Sequence, residues 1–187
     1  MTAKGENMEI YDVLKKDHEK IQNLLSELVA LDAKSSAAGP LIEQIRNELV
    51  PHSRAEEAIF YNSIRPLKAL EGMLKDSYPE HVLSEALLRT LQVEVRMGLP
   101  WRATAERLQE TLEHHIREEE HQMFTAAKLY FRPEEAREMA KAFNQLKKEV
   151  REENLVQTTL ELIANVAPAN LATTFGKYNL GSRLDHN

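Results

Sequence analysis

Three histidines in this chain are followed four residues later by a glutamate, each pair set within an otherwise apolar stripe: His52 with Glu56, His81 with Glu85, and His115 with Glu119. Residues four apart project from one face of a helix, so each pair can address a single point in space. Imidazole nitrogen suits iron, zinc and copper, while carboxylate oxygen favours harder or higher-valent ions and can bridge two of them. The chain contains no cysteine, which removes thiolate ligation and disulfides and leaves nitrogen and oxygen as the main donors.

The surrounding stripes sharpen this reading. His18 falls between Leu14 and Ile21, and the other stripes run Ile45–Leu49–His52–Glu56–Ile59, Tyr78–His81–Glu85–Leu88–Val95 and Leu108–Leu112–His115–Glu119–Ala126. Four imidazoles and three carboxylates therefore occupy positions where the helical period calls for apolar side chains. A buried carboxylate without a partner costs several kcal/mol or more unless it is neutralised, paired or bound to metal. A further pair, His114 and Glu118, shares its face with Arg107, Thr111 and His121 and reads as solvated helix surface, so the ligand role falls to His115. Two facing helices would supply bridging carboxylates, and His18 and His81 would raise the terminal histidines to two per metal, with the metals ~3.5–4 Å apart. Glu57, Glu118 and Glu120 flank these residues as candidate acceptors for imidazole N–H groups, against the plainer reading of a solvated acidic face. Tyr78 reads first as core, with a hydrogen bond to a metal-bound oxygen species as its functional alternative. Trp101 and Phe60 read as core.

The elements that must position these residues are helices. Low Gly and Pro content with abundant Leu, Ala, Glu and Lys favours them. Apolar periodicity predicts helix A over about residues 8–31, a turn at 32–40, helix B interrupted by Pro51 and ending near Pro66, and a short separate segment LKALEGMLK. Helix C follows over 77–97 with Pro79 in its first turn, and helix D runs over 101–130. A fifth helix opens at Pro133 with Ala136, Ala140, Phe143, Leu146 and Val150 on one side, and the remainder is read as one more short helix and a tail. The fold expected is all-α: an up-down-up-down four-helix bundle over 1–131, with a C-terminal helical extension over 132–187. His18 and His52 flank the first turn, and His81 and His115 flank the turn at 98–100, at matched distances, which would place all four in one layer. No long-period repeat is evident.

The net charge of −6 argues against a protein that tracks a nucleic-acid backbone. No apolar run approaches the ~20 residues that span a bilayer, and the N-terminus lacks the apolar centre of a signal peptide. A cytoplasmic protein without membrane or nucleic-acid partners is the expectation, its oligomeric state open.

KKDHEKI, HSRAEEAIF, PEHVLSE and HHIREEEHQMF, taken together and in this order, resemble the hemerythrin-like, HHE cation-binding family over about residues 8–130. The resemblance implies a non-haem di-iron centre with His18, His52, His81 and His115 as terminal ligands and Glu56 and Glu119 as bridges. Oxygen-carrying members have a second histidine where this chain has Glu85, and an aspartate five residues after the last histidine where this chain has Glu119 at four. Glu85 is accordingly a candidate seventh ligand, and the pattern is closer to members associated with iron sensing, oxidative or nitrosative stress and peroxide handling. Ferritin-like di-iron bundles need two Glu-x-x-His motifs, and here only Glu118–His121 fits, off the inner stripe. Three functions suit this pattern: a di-iron protein reacting with dioxygen, peroxide or nitric oxide, an iron or redox sensor acting on its C-terminal segment, or a structural bundle with a satisfied polar layer.

Overall fold

The structure is a computed structural model, and it describes residues 8–152. Five helices carry the chain: α1 (Ile10–Ala30), α2 (Ala38–Glu56), α3 (Glu71–Arg96), α4 (Arg102–Glu118) and α5 (Pro133–Glu152). Beyond their α-helical ends, α2 continues through a π turn at Glu57–Tyr61 into Asn62–Ile64, and α4 through a second π turn at Glu119–Met123 into Phe124–Ala127. Neighbours in sequence pack against each other from α1 to α4, α1 closes the ring against α4, and α5 lies in the groove between α1 and α2. Among the described residues no helix is long and apolar enough to cross a membrane.

Two turns at one end of the bundle set the register. Gly98, at φ +67°, lets the chain leave α3 through a left-handed residue. The Leu99 amide then bonds the Glu94 carbonyl at 2.8 Å and the Gly98 amide bonds Val95 at 3.2 Å, a Schellman ending. Trp101 donates its indole N–H to the Ala33 carbonyl at 3.0 Å, and Arg102 donates to the carbonyls of Val29 and Leu31. The α3–α4 turn thereby caps the end of α1, and the two turns lie at one level.

The prolines behave differently from the sequence expectation. α2 runs unbroken through Pro51, and α3 starts at Glu71, so EGMLK belongs to it and Pro79 lies eight residues inside. A proline inside a helix leaves the carbonyl four residues earlier without its usual donor. For Pro51 that carbonyl is Asn47, and Arg151 of α5 donates to it at 3.2 Å. α5 has its apolar face inward as expected, with Ala136, Ala140, Phe143 and Val150 buried; Met139 joins them and Leu146 is partly buried. The expected final short helix and tail lie outside the described residues.

The π turns correct the apolar stripes. Each adds a residue to one turn and rotates the residues beyond it by about 100°, one residue's share of a 3.6-residue turn. The stripe in α2 therefore passes from Glu56 to Phe60, Tyr61 and Ile64 while Ile59 is only partly buried, and in α4 it passes from Glu119 to Met123, Phe124 and Ala127 rather than Ala126. Two apolar clusters result. One is built on Ile10, Leu14, Phe60, Phe124 and Phe143, the other on Leu25, Leu28, Ile45, Leu108 and Trp101. The polar layer separates them.

Candidate metal centre

All four expected histidines and two of the three expected glutamates meet in that layer. His18, His52, Glu56, His81, His115 and Glu119 are at most 3% exposed. Ligand atoms of His18, His52 and Glu56 lie within 4.8 Å of one another, as do those of Glu56, His81 and His115. The two triads share Glu56, whose Oε2 is 3.5 Å from Nε2 of His52 and 3.4 Å from Nε2 of His81. Glu119 spans the same gap from the other side, with Oε2 3.3 Å from Nε2 of His18 and 3.9 Å from Nε2 of His115.

Every imidazole turns its other nitrogen outward to a carboxylate. Nδ1–H donates from His18 to Glu120 at 2.9 Å, from His52 to Asp17 at 3.4 Å, from His81 to Glu57 at 2.8 Å and from His115 to Glu80 at 3.0 Å. These acceptors set the tautomer and leave each Nε2 as a lone pair facing inward. Asp17 on α1 holds the histidine of α2, Glu57 on α2 that of α3, Glu80 on α3 that of α4, and Glu120 on α4 that of α1. The acids form a closed ring.

The ring reveals an internal repeat that the sequence reading missed. Asp17, His18, His52, Glu56 and Glu57 correspond to Glu80, His81, His115, Glu119 and Glu120, each 63 positions later. Glu57 and Glu120 were candidate acceptors for which a solvated acidic face was the plainer reading, and both accept from an imidazole, whereas Glu118 is exposed and accepts from Gln122. Asp17 and Glu80 were missed, although both directly precede a candidate ligand, and the 63-residue offset is the signal that finds them. Tyr61 was also missed. Its ring stacks on His81 at 5.5 Å, and its buried hydroxyl has no hydrogen-bond partner among the described residues. Tyr78 packs edge-on against Tyr61 at 5.4 Å.

Glu85 stands apart from both triads. Its carboxylate receives Arg54 at 2.6 Å, and Arg89 lies 3.9 Å away. Burial raises its pKa, partly offset by the Arg54 guanidinium. His114 and His121 are exposed, as expected.

The electrostatics of the centre follow from its burial. Burial pushes Glu56 up to about 8 and Glu119 well above the usual carboxylate range, the latter also raised by the charge of Glu56. Burial also lowers His18, and it lowers His52 to about 3. For Asp17, burial opposes ionisation, but the His52 N–H and the Lys147 ammonium at 2.5 Å outweigh it and hold the acid at about 2. Asp17 is thus a charged acceptor behind His52, an imidazole that burial holds neutral.

The fit to metal can be judged from the inner atoms. Neither oxygen of Glu56 or Glu119, nor Nε2 of His18, has a hydrogen-bond partner among the described residues. Nε2 of His81 and Nε2 of His115 approach to 3.1 Å with both Nδ1 protons already committed outward. Lone pairs facing one another in a buried layer are unfavourable unless protons or cations lie between them. The donor set fits cations bound by nitrogen and carboxylate oxygen.

A helical bundle with histidines and glutamates converging from four helices defines an all-α domain of the carboxylate–histidine type. The family model for the hemerythrin HHE cation-binding domain matches residues 9–127, and the chain belongs to that family. It is also 24% identical over 147 residues to a DNA nickase from Nostoc sp. (strain PCC 7120 / SAG 25.82 / UTEX 2576), an alignment covering 79% of this chain. The chain spans 41% of that relative's length. No solved structure matches the chain significantly.

Proposed function

We propose that the chain holds two iron ions side by side and reacts with or senses dioxygen, peroxide or nitric oxide. The observation that carries this reading is the inward convergence of the four Nε2 lone pairs and the two carboxylates, unpartnered at His18, Glu56 and Glu119. His18 and His52 would hold one ion, His81 and His115 the other, and Glu56 and Glu119 would bridge them. Glu85 was a seventh candidate, but its ion pair with Arg54 makes it a charge partner for α2 in this reading. Each ion would then have two imidazoles and two carboxylate oxygens, short of the about six donors of an octahedral centre, which leaves room for a small exogenous ligand. Bound iron supplies one-electron chemistry toward such a ligand. The chain's own part is to keep His18 and His52 neutral by burial, to fix the tautomers of all four imidazoles through Asp17, Glu57, Glu80 and Glu120, and to exclude bulk water with Phe60, Tyr61, Phe124 and Phe143.

Anaerobic loading with ferrous iron followed by metal analysis tests this directly. About two iron atoms per chain are expected, as a bridged pair requires, with near-ultraviolet bands that respond to azide or peroxide. A folded protein that refuses iron would overturn it. The DNA nickase name of the relative prompts a supercoiled-plasmid assay as well. The net charge of −6 disfavours phosphate-backbone contact, and no nicking is expected.

A second, non-enzymatic reading has its own observation. Lys147 of α5 pairs with Asp17, and Phe143 of α5 lies edge-on to His52 at 5.8 Å. Metal at His52 would be felt by α5 and by the segment after it. Limited proteolysis of residues 131–187 should then differ with and without iron, while identical cleavage counts against a sensor.

A further inference from the structure

We propose that the cleft between α3 and α4 is the port by which divalent cations reach the buried centre, with His114, Glu118 and Glu80 as transient ligands that pass an ion to Glu119 and His115. The proposal rests on the metal-binding reading above and adds a route to it.

The cleft has a volume of ≈ 450 Å³, and its polar wall carries Asp76, Glu80, His114, Glu118, Glu119 and Gln122. No lysine or arginine is among the described residues that line it. Glu119 is at once part of this wall and part of the centre, nine-tenths buried or more, with both oxygens unpartnered. The donors descend in steps. His114 is 58% exposed at its side chain, Glu80 is 24% exposed, and His115 and Glu119 are 3% and 1% exposed. Glu80 joins the levels, with one oxygen 3.1 Å from Nδ1 of His114 and the other 3.0 Å from Nδ1 of His115.

The other outer acids lack this opening. Asp17 is paired with Lys147 at 2.5 Å, Glu120 with Lys15 at 3.6 Å and Glu57 with Arg54 at 3.8 Å. A fixed ammonium or guanidinium beside the acid repels an approaching cation and fills its coordination space. Among the four, Glu80 alone has histidines as its only ionic partners among the described residues. Imidazole can bind a passing metal ion and let it go, which a permanent cation cannot do. The repeat built four equivalent acids, and the bundle left one of them without a cation.

The test is the rate of cobalt(II) uptake by the full chain, followed by stopped-flow absorption at low ionic strength, with the final stoichiometry measured separately. His114→Lys gives Glu80 the basic neighbour its counterparts have, and Glu118→Lys puts a charge at the cleft mouth. Both should slow uptake about tenfold, the low end of electrostatic focusing effects, with the difference shrinking in high salt. The metal content at saturation should stay the same. Glu27→Lys, at an exposed position on α1, is the control for net charge and should load at the wild-type rate. If His114→Lys does not fold by circular dichroism, the exposed Glu118→Lys carries the comparison. Wild-type rates in the cleft variants, or equal slowing by Glu27→Lys, would overturn the port. Failure of the wild-type chain to take up cobalt or iron would instead overturn the metal-binding reading itself.

Discussion

The α1–α2 half and the α3–α4 half of the centre contain the same inner residues at the same spacing, yet they face different surroundings. At His52 the outside is closed: α5 sets Phe143 against the ring and Lys147 against its acid. At His115 the outside is a cleft with the exposed His114 at its mouth. In the two-ion reading proposed above the inner set would be constrained, because two like cations would need like donors at each end. The outer set must only keep each imidazole in its tautomer, and Asp17 beside a lysine does that as well as Glu80 beside a histidine. Equivalence belongs to the chemistry, and difference belongs to access and coupling.

The largest expected effect probes the equivalence itself. Glu56→Ala and Glu119→Ala should each cut iron content from about two to one or fewer per chain, because each would remove a proposed shared ligand of both ions. Plasma mass spectrometry of loaded protein measures it, and a full complement in either variant would break the proposed symmetry. Next comes the closed side. Phe143→Ala removes a fully buried ring and should destabilise the fold by about 3–5 kcal/mol, read by chemical denaturation, and the loss should be accompanied by faster proteolysis of α5. A cost under about 1 kcal/mol, far below the usual range for a buried phenylalanine, would mean that α5 does not seal the centre.

Smaller effects separate the outer acids. Asp17→Asn and Glu80→Gln should each weaken metal affinity about 10–100-fold, the usual consequence of losing the acceptor behind a ligand imidazole. Only Asp17→Asn should also loosen α5, since it alone weakens an ion pair of Lys147, which would keep only Glu48 at 3.5 Å. Equal proteolysis of the two variants would argue against coupling through that pair.

The smallest effect is the pH dependence of the metal-free protein. Folded Glu56 keeps its proton up to about 8, whereas the unfolded chain loses it near 4.5. The folded form thus binds more protons across that interval, and stability falls as pH rises through it. His52, lowered to about 3 from 6.5, works in the opposite direction but only below 6.5. Between pH 6.5 and 8 the Glu56 contribution outlasts that of His52, and the raised Glu119 acts in the same direction, so the metal-free Tm should drop by a few degrees across that interval. Iron should reverse the trend, because the ion takes the place of the proton. A flat metal-free profile by calorimetry would show that the carboxylate is already ionised.

Much of this centre was legible in the chain. His18, His52, His81 and His115 announced themselves because each interrupts an apolar stripe, and a stripe is a local property that periodicity exposes. Glu85 obeyed the same local rule and was drawn away by Arg54, a residue 31 positions earlier whose approach no helical period encodes. Asp17 was overlooked because its histidine lies on the next helix, 35 positions on. The π turns escaped because an ideal 3.6-residue period was carried through Glu56 and Glu119, although Phe60 and Tyr61, and Met123 and Phe124, already supplied the shifted stripe.

The sequence by itself determined the helices, the polar layer and seven candidates for it, six of which enter it, since burial of a periodic face depends on neighbours three and four positions away. It also held the 63-residue correspondence between its halves, which becomes visible once the acids are paired. The tertiary structure alone decided which acid holds which histidine, that Glu85 faces Arg54, and that α5 closes one side while the other keeps a cleft. Those outcomes depend on charges meeting across helices, where distance along the chain carries no information about distance in space.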